Sequence, residues 1–175
     1  LVDRLAQALA RAKRDRRLMA VCYVDLDGFK QINDGFGHDA GDKVLVEVTR
    51  RIKEAVREDD TVARLGGDEF VVLLVGLDVA EECAGTLHRL LERISQPIPV
   101  HGAMLSVSAS IGVALYPEDE EDADTLLRHA DQAMYVAKQS GKNRYHLFDA
   151  DSDQRARSHH ELLQQIRHGL ATGEF

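Results

Sequence analysis

Cysteine, proline and tryptophan are nearly missing from this sequence of 175 residues, which has two, three and none of them. Cys22 and Cys83 each sit inside an apolar stretch, so they read as small core residues and exclude a disulfide framework. No apolar run approaches membrane-spanning length, and no secretory signal stands at the start. An excess of basic residues is also lacking: 22 Lys and Arg stand against 30 Asp and Glu, a formal net charge of -8. That balance excludes the broad attraction that non-specific nucleic-acid binders need, and neither a nucleic-acid polymer nor a membrane is expected as a partner. Aromatics are only 5%, yet a hydrophobic fraction of 44% can build a core and excludes a wholly disordered chain. The length suits one domain with a short extension. The expectation is a soluble, cytoplasmic domain, with any membrane anchor lying in other parts of a full-length protein.

Apolar spacing predicts helices over 1–17, 40–56, 79–95 and 126–139, with a turn or short helix over 28–34. Strands are predicted over 19–25, 61–65, 70–75, 98–101, 105–115 and 144–148. The second and third flank Gly66-Gly67-Asp68-Glu69 and read as a β-hairpin. A hairpin that interrupts the alternation of strands and helices predicts an α+β fold with mixed strand directions. The globular domain is placed at 1–149. Residues 149–154 are polar and linker-like, and 158–170 begin a new helical pattern.

Two anomalies point to chemistry. Asp25-Leu26-Asp27 ends a buried strand, and residues two apart share a face, so both carboxylates are expected to converge. Such acids either cap a turn or hold a cation, and oxygen-only ligands favour Mg²⁺ carrying phosphates. At the hairpin tip, Gly66-Gly67-Asp68-Glu69-Phe70 either keeps a turn solvated or adds carboxylates to the same place. A joint cluster matches metal-assisted attack of a hydroxyl on a phosphate. Asn33 and Asp42 carry the amide and carboxylate needed to read a guanine edge, although Asp42 also suits the start of a helix. Lys138 and Lys142 offer two cations around a turn, suited to a polyphosphate or simply to a helix end.

Assembled in order, these motifs resemble the GGDEF family of diguanylate cyclases. Gly66-Gly67-Asp68-Glu69-Phe70 is the family's name motif. Asp25-Leu26-Asp27-x-Phe29-Lys30-x-Ile32-Asn33-Asp34 with Phe36-Gly37-His38-Asp39-x-Gly41-Asp42 is a second signature. Ala130-Asp131-x-Ala133-Met134-Tyr135-x-Ala137-Lys138-x-x-Gly141-Lys142-Asn143 is a third. The resemblance implies a palm-like fold akin to adenylyl cyclases, a central antiparallel-rich sheet flanked by helices, with the hairpin carrying the active site. It implies condensation of two GTP into cyclic di-GMP, with loss of two pyrophosphates, across a homodimer that brings one GTP from each subunit. By position, Asp25, the Leu26 carbonyl, Asp68 and Glu69 are implied to hold two Mg²⁺ (or Mn²⁺) ions, with Asp68 and Glu69 catalytic. Phe29, Lys30, Asn33, His38, Asp42, Lys138 and Lys142 are implied around the substrate, Asn33 and Asp42 on guanine and the lysines on phosphates.

Arg57-x-x-Asp60 matches the family's inhibitory site for cyclic di-GMP, with a plain surface ion pair as the alternative. Members usually carry Asp-x-Leu-Thr-Gly-Leu-x-Asn-Arg ahead of the first helix, and this chain begins past that point. From His160-Glu161-Leu162-Leu163 to Gly173-Glu174-Phe175 it resembles the lead-in to an EAL phosphodiesterase domain. Residues 150–175 are therefore expected to form a linker and first helix before such a domain. A catalytically silent module that binds GTP or cyclic di-GMP and controls the EAL domain is the alternative function. A templated nucleotidyl transferase suits the carboxylates but not the acidic charge.

Overall fold

The apolar run at the first predicted strand is buried on both sides, which places it at the centre of a sheet. The computed structural model describes residues 1–119, 122–151, 153–155, 158, 161–162 and 165–166. In chain order the elements are α1 (Val2–Asp15), β1 (Leu18–Asp27), α2 (Phe29–Phe36), α3 (His38–Ala55), β2 (Thr61–Gly66) and β3 (Glu69–Leu77). There follow α4 (Ala80–Ser95), β4 (Ile98–Val100), β5 (Ala103–Leu105), β6 (Ser108–Tyr116), α5 (Ala123–Gln139) and β7 (Arg144–Leu147). Five strands form one sheet in the order β2-β3-β1-β6-β7, antiparallel except for the parallel pair β6 and β7. The α+β reading with mixed strand directions holds.

The period of two in β1 divides the core. Ala20, Cys22, Val24 and Leu26 pack with Phe29 and Ile32 of α2, Val44, Val48 and Ile52 of α3, and Leu87 and Leu90 of α4. Met19 and Val21 face the other way, against Leu5 and Leu9 of α1 and Leu126 and Ala130 of α5. Each wholly buried aliphatic side chain adds about 2 kcal/mol. Cys22 and Cys83 are both free and buried, as expected. α1 stops at Arg16, a left-handed residue at φ 52, and α5 starts at Asp122, whose side chain accepts from the Thr125 N–H at 2.8 Å.

The structure corrects three local readings. The strand predicted over 105–115 begins only at Ser108, as β6 paired with β1, and Leu105 instead ends β5, which pairs with β4 in a separate small sheet. α3 begins at His38, because Gly37 at φ 86 turns the chain directly out of α2. In the polar stretch 149–154, residues 150, 151, 153 and 154 are helical, and buried Asp153 meets His146 Nε2 at 2.7 Å. Of the pattern expected over 158–170, residues 158, 161, 162, 165 and 166 are helical, while His160, Leu163 and 173–175 lie outside the described residues. Among the described residues no helix is long and apolar enough to cross a membrane.

Candidate active site

Asp25 and Asp27 leave the same face of β1 yet meet different neighbours. Asp27 Oδ1 accepts from Ser110 Oγ at 2.8 Å, and Oδ2 accepts from Ser108 Oγ at 2.8 Å and from the Asn143 N–H at 3.2 Å. Three donors occupy this buried carboxylate, so it fastens β1 to β6 and to the turn before β7. Of the two acids on this face, Asp25 stands opposite Glu69 of the hairpin, while Asp27 is taken up by β6 and the turn before β7. Ser108 and Ser110 were not singled out by sequence, and Asn143 stood there only as the last residue of the third signature. Their signal was the spacing of two serines on a strand, matching the spacing of the two acids.

Asp25 stands opposite Glu69 in the β1–β3 ladder, and the Leu26 N–H donates to the Asp68 carbonyl at 3.1 Å. That bond carries the ladder into the two-residue loop Gly67–Asp68, where glycine supplies the positive φ of 51. Asp25, Asp68 and Glu69 thus share one end of the sheet, with the Leu26 backbone pinned beside them. Burial pushes the Asp25 carboxyl up, the Lys138 ammonium opposes this, and the charges of Asp68 and Glu69 push it further up. Lys138 Nζ lies 2.8 Å from Asp25 Oδ1. Tyr23, two residues earlier on the same face, has its hydroxyl pushed up to about 12 by burial and then by Glu69 and Asp131. Its hydroxyl stays neutral at working pH beside the charges of Glu69 and Asp131, and its polar role was invisible within an apolar strand.

Lys138 arrives there because α5 lies directly on β6. A Cβ on Gly112 would stand 1.9 Å from the Ala130 carbonyl oxygen and 2.0 Å from the Met134 nitrogen. Gly112 pairs with Tyr23, and two residues away Ser110 pairs with Asp25. One helical turn beyond Met134 is Lys138. A turn rises about 5.4 Å and two strand residues span about 6.7 Å, so the two steps run together.

A second close approach builds the α2–α3 corner. A Cβ on Gly41 would be 1.8 Å from Asn33 Oδ1 and 3.3 Å from Phe29 Cζ. Asn33 therefore lies against the backbone that precedes Asp42, and Phe29 is buried beneath it as packing. Asp42 also lines a cleft of 340 Å³ with Leu45, Thr49 and Arg64. Arg64 Nε donates to the Gly67 carbonyl at 2.9 Å, tying this cleft to the hairpin. Lys30, His38 and Lys142 are exposed, and among the described residues no ion pair brings them to the carboxylates. No three His, Cys, Asp or Glu side chains among the described residues form a ready-made metal cage. The donors fit a hard divalent cation in kind: oxygen-only carboxylates, Asp25 buried and Asp68 and Glu69 half-buried, the first of which already draws an ammonium.

Arg57 and Asp60 meet within one turn. Asp60 Oδ2 accepts from the Arg57 N–H at 2.8 Å, Oδ1 accepts from the Val75 N–H at 3.0 Å, and the Arg57 guanidinium reaches Glu82 Oε2 at 2.9 Å.

Comparison with known proteins agrees with this geometry. Residues 1–144 match the family described as diguanylate cyclase, GGDEF domain. The bifunctional diguanylate cyclase/cyclic di-GMP phosphodiesterase MucR of Pseudomonas aeruginosa is 47% identical over 171 residues, which are 97% of this chain and 25% of MucR. The cyclic di-GMP phosphodiesterase NbdA of the same species is 39% identical over 152 residues, 87% of this chain and 19% of NbdA. The chain thus spans a quarter or less of the length of these two curated relatives. A solved structure of TpbB from Pseudomonas aeruginosa, comprising only its GGDEF domain, superposes with a TM-score of 0.86. Its identity is 41%, and the match covers 89% of this chain and 91% of that one. With the motif on a tight hairpin beside β1 and the match running along most of the sequence, the chain belongs to the GGDEF, or diguanylate cyclase, domain family.

Proposed function

We propose that this chain condenses two GTP into cyclic di-GMP, as a homodimer in which each subunit presents one GTP. The observation that carries this reading is the pairing of Asp25 with Glu69, continued by the Leu26–Asp68 bond, with Lys138 at the same end. In each of two equivalent steps, the 3′-hydroxyl of one GTP attacks the α-phosphate of the other. A phosphorus–oxygen bond forms, the bond to pyrophosphate breaks, and Asp68 accepts the hydroxyl proton with Glu69 beside it. One subunit has a single set of such groups while the product needs two nucleotides, hence the dimer. Asp25, the Leu26 carbonyl, Asp68 and Glu69 would hold Mg²⁺ or Mn²⁺, two ions per site, which neutralise triphosphate charge when bound. Asn33 and Asp42 read guanine above Phe29, and Lys138 is positioned to leave Asp25 for a phosphate. Lys30, His38 and Lys142 complete the substrate's surroundings from exposed positions. GTP as substrate puts the domain in the cytoplasm, and cyclic di-GMP bound at the Arg57–Asp60 turn inhibits it.

Replacing Asp68 tests the assignment. Asp68→Ala is expected to lower cyclic di-GMP formation by roughly a hundredfold or more while leaving the thermal unfolding curve in place. Equal product from wild type and variant would overturn it. A second reading has one observation behind it: NbdA, which this chain resembles, is described solely as a phosphodiesterase. In that reading the domain binds GTP or cyclic di-GMP silently and controls an attached EAL domain, and wild type and Asp68→Ala both yield nothing.

A further inference from the structure

The turn between α5 and β7 departs from the ordinary way of leaving a helix. One left-handed residue after the last turn, usually glycine, is enough to close it. Here Gly141, Lys142 and Asn143 follow one another at φ 119, 62 and 46. Asparagine tolerates that region, but lysine gains nothing from it. Strain of this kind persists where neighbours over-determine it, and it gathers at ligand clamps. We propose that Arg144 is a positioning residue: its guanidinium straps this turn and fixes the backbone from which Lys142 meets the polyphosphate of GTP. The proposal rests on the cyclase reading above, which puts Lys142 beside phosphates, and deepens it by a residue that stands outside the three motifs.

Both ends of the turn are tied. On the helix side the Gly141 N–H donates to the Lys138 carbonyl at 3.4 Å, and the Lys142 N–H to the Ala137 carbonyl at 3.1 Å. On the sheet side the Asn143 N–H donates to Asp27 Oδ2 at 3.2 Å. Those bonds leave the Lys142 carbonyl, and Arg144 Nε donates to it at 3.0 Å. The guanidinium lies across Gly141: a Cβ there would stand 2.8 Å from Nη2 and 3.4 Å from Cζ. Any larger residue at 141 would push the guanidinium off the turn. A planar fork of donors suits this double task of packing on backbone and bonding a carbonyl.

The strap sits at the end of the sheet that holds the carboxylates. Arg144 opens β7 and pairs with Ser110 of β6, which in turn pairs with Asp25 of β1. Two strand spacings, about 10 Å, therefore separate its backbone from that of Asp25. Lys138, on the helix side of the turn, already meets Asp25 Oδ1 at 2.8 Å. Lys142 is exposed, and a long, flexible side chain gives up much rotamer freedom on meeting a phosphate. A root fixed in advance lowers what remains to be ordered on binding. Released from Arg144, Lys142 would relax toward negative φ, and its side chain would leave the backbone in another direction.

Titration calorimetry of the 175-residue chain tests this with 3′-deoxy-GTP and Mg²⁺, a nucleotide without the reacting hydroxyl, and with guanosine, which has no phosphate. Arg144 is exposed on an edge strand, so its replacement leaves the fold in place, as the thermal unfolding curve will show. Arg144→Ala and Lys142→Ala are each expected to weaken 3′-deoxy-GTP binding about tenfold, and the double variant by no more than about twofold beyond Lys142→Ala alone. Guanosine binds equally to all forms. Arg144→Lys keeps the charge without the planar fork and is expected to bind as weakly as Arg144→Ala. Wild-type affinity in Arg144→Ala or Arg144→Lys, with weakening in Lys142→Ala, would overturn the strap and leave the substrate reading standing. Losses that multiply in the double variant, or an equal loss for guanosine, would do the same. No binding of 3′-deoxy-GTP by the wild type, or wild-type affinity in Lys142→Ala, would overturn the phosphate reading of Lys142 and the strap with it.

Discussion

Asp25 and Asp27 are the same residue type on the same strand face, and their neighbours give them opposite work. Asp27 is saturated by Ser108, Ser110 and the Asn143 N–H, whereas Asp25 has one ammonium and two acids for company. Hydrogen bonds to a charged group are worth about 1.5–3 kcal/mol each, and an amide here keeps one oxygen for Ser108 and Asn143 while losing the acceptor for Ser110. Asp27→Asn is therefore expected to destabilise the domain by about 2 kcal/mol, read as a lower urea midpoint with an unchanged slope. An unchanged midpoint would show that the three contacts are idle. Both acids were legible as an anomaly at a strand's end, but not which one serves the site. That choice depends on the pairing of β1 with β6, which are far apart in sequence and whose register only the folded sheet defines.

Helix pairs set the precision of the site through positions where a side chain is missing. At Gly41 the missing Cβ lets Asn33 rest on α3. Gly41→Ala should displace the Asn33 amide and raise KM for GTP about tenfold, with a smaller effect on kcat. A loss confined to kcat would place Asn33 outside the binding step. Further along α3, Arg51 reaches the carbonyls of Arg93, Gln96 and Pro97 at 3.0, 2.5 and 3.0 Å and so caps the end of α4. Glu47 steadies it, and its carboxyl is lowered to about 2 by Arg50 first, then by Arg51. A depressed carboxyl stabilises the fold above its unfolded value, about 4.5, and the gain is lost as pH falls toward 2. Glu47→Gln is thus expected to lower Tm at pH 7 and to flatten the loss of Tm between pH 4.5 and 2. Parallel pH curves for the two proteins would contradict this. The helices were readable from apolar spacing to within a few residues. The break between β5 and β6 was not, because the chain changes sheets at residues 106–107 without changing composition.

Across the whole domain, one strand buried on both faces separates a layer of α1 and α5 from a layer of α2, α3 and α4. The first layer brings Lys138 to the sheet's end. The second supplies Asn33 and Asp42. The hairpin brings Asp68 and Glu69 beside Asp25 and Leu26 of β1. This division was legible as a fold class and as motifs, while the layering came from the pairing of β1 with both β3 and β6. MucR and NbdA are several times longer than this chain. The decisive measurement is incubation with GTP and Mg²⁺ at several protein concentrations, with the nucleotides separated by chromatography. Formation of cyclic di-GMP, with specific activity rising as protein concentration rises, is the predicted result. Saturable binding of GTP without product at any protein concentration would contradict it and favour the silent module.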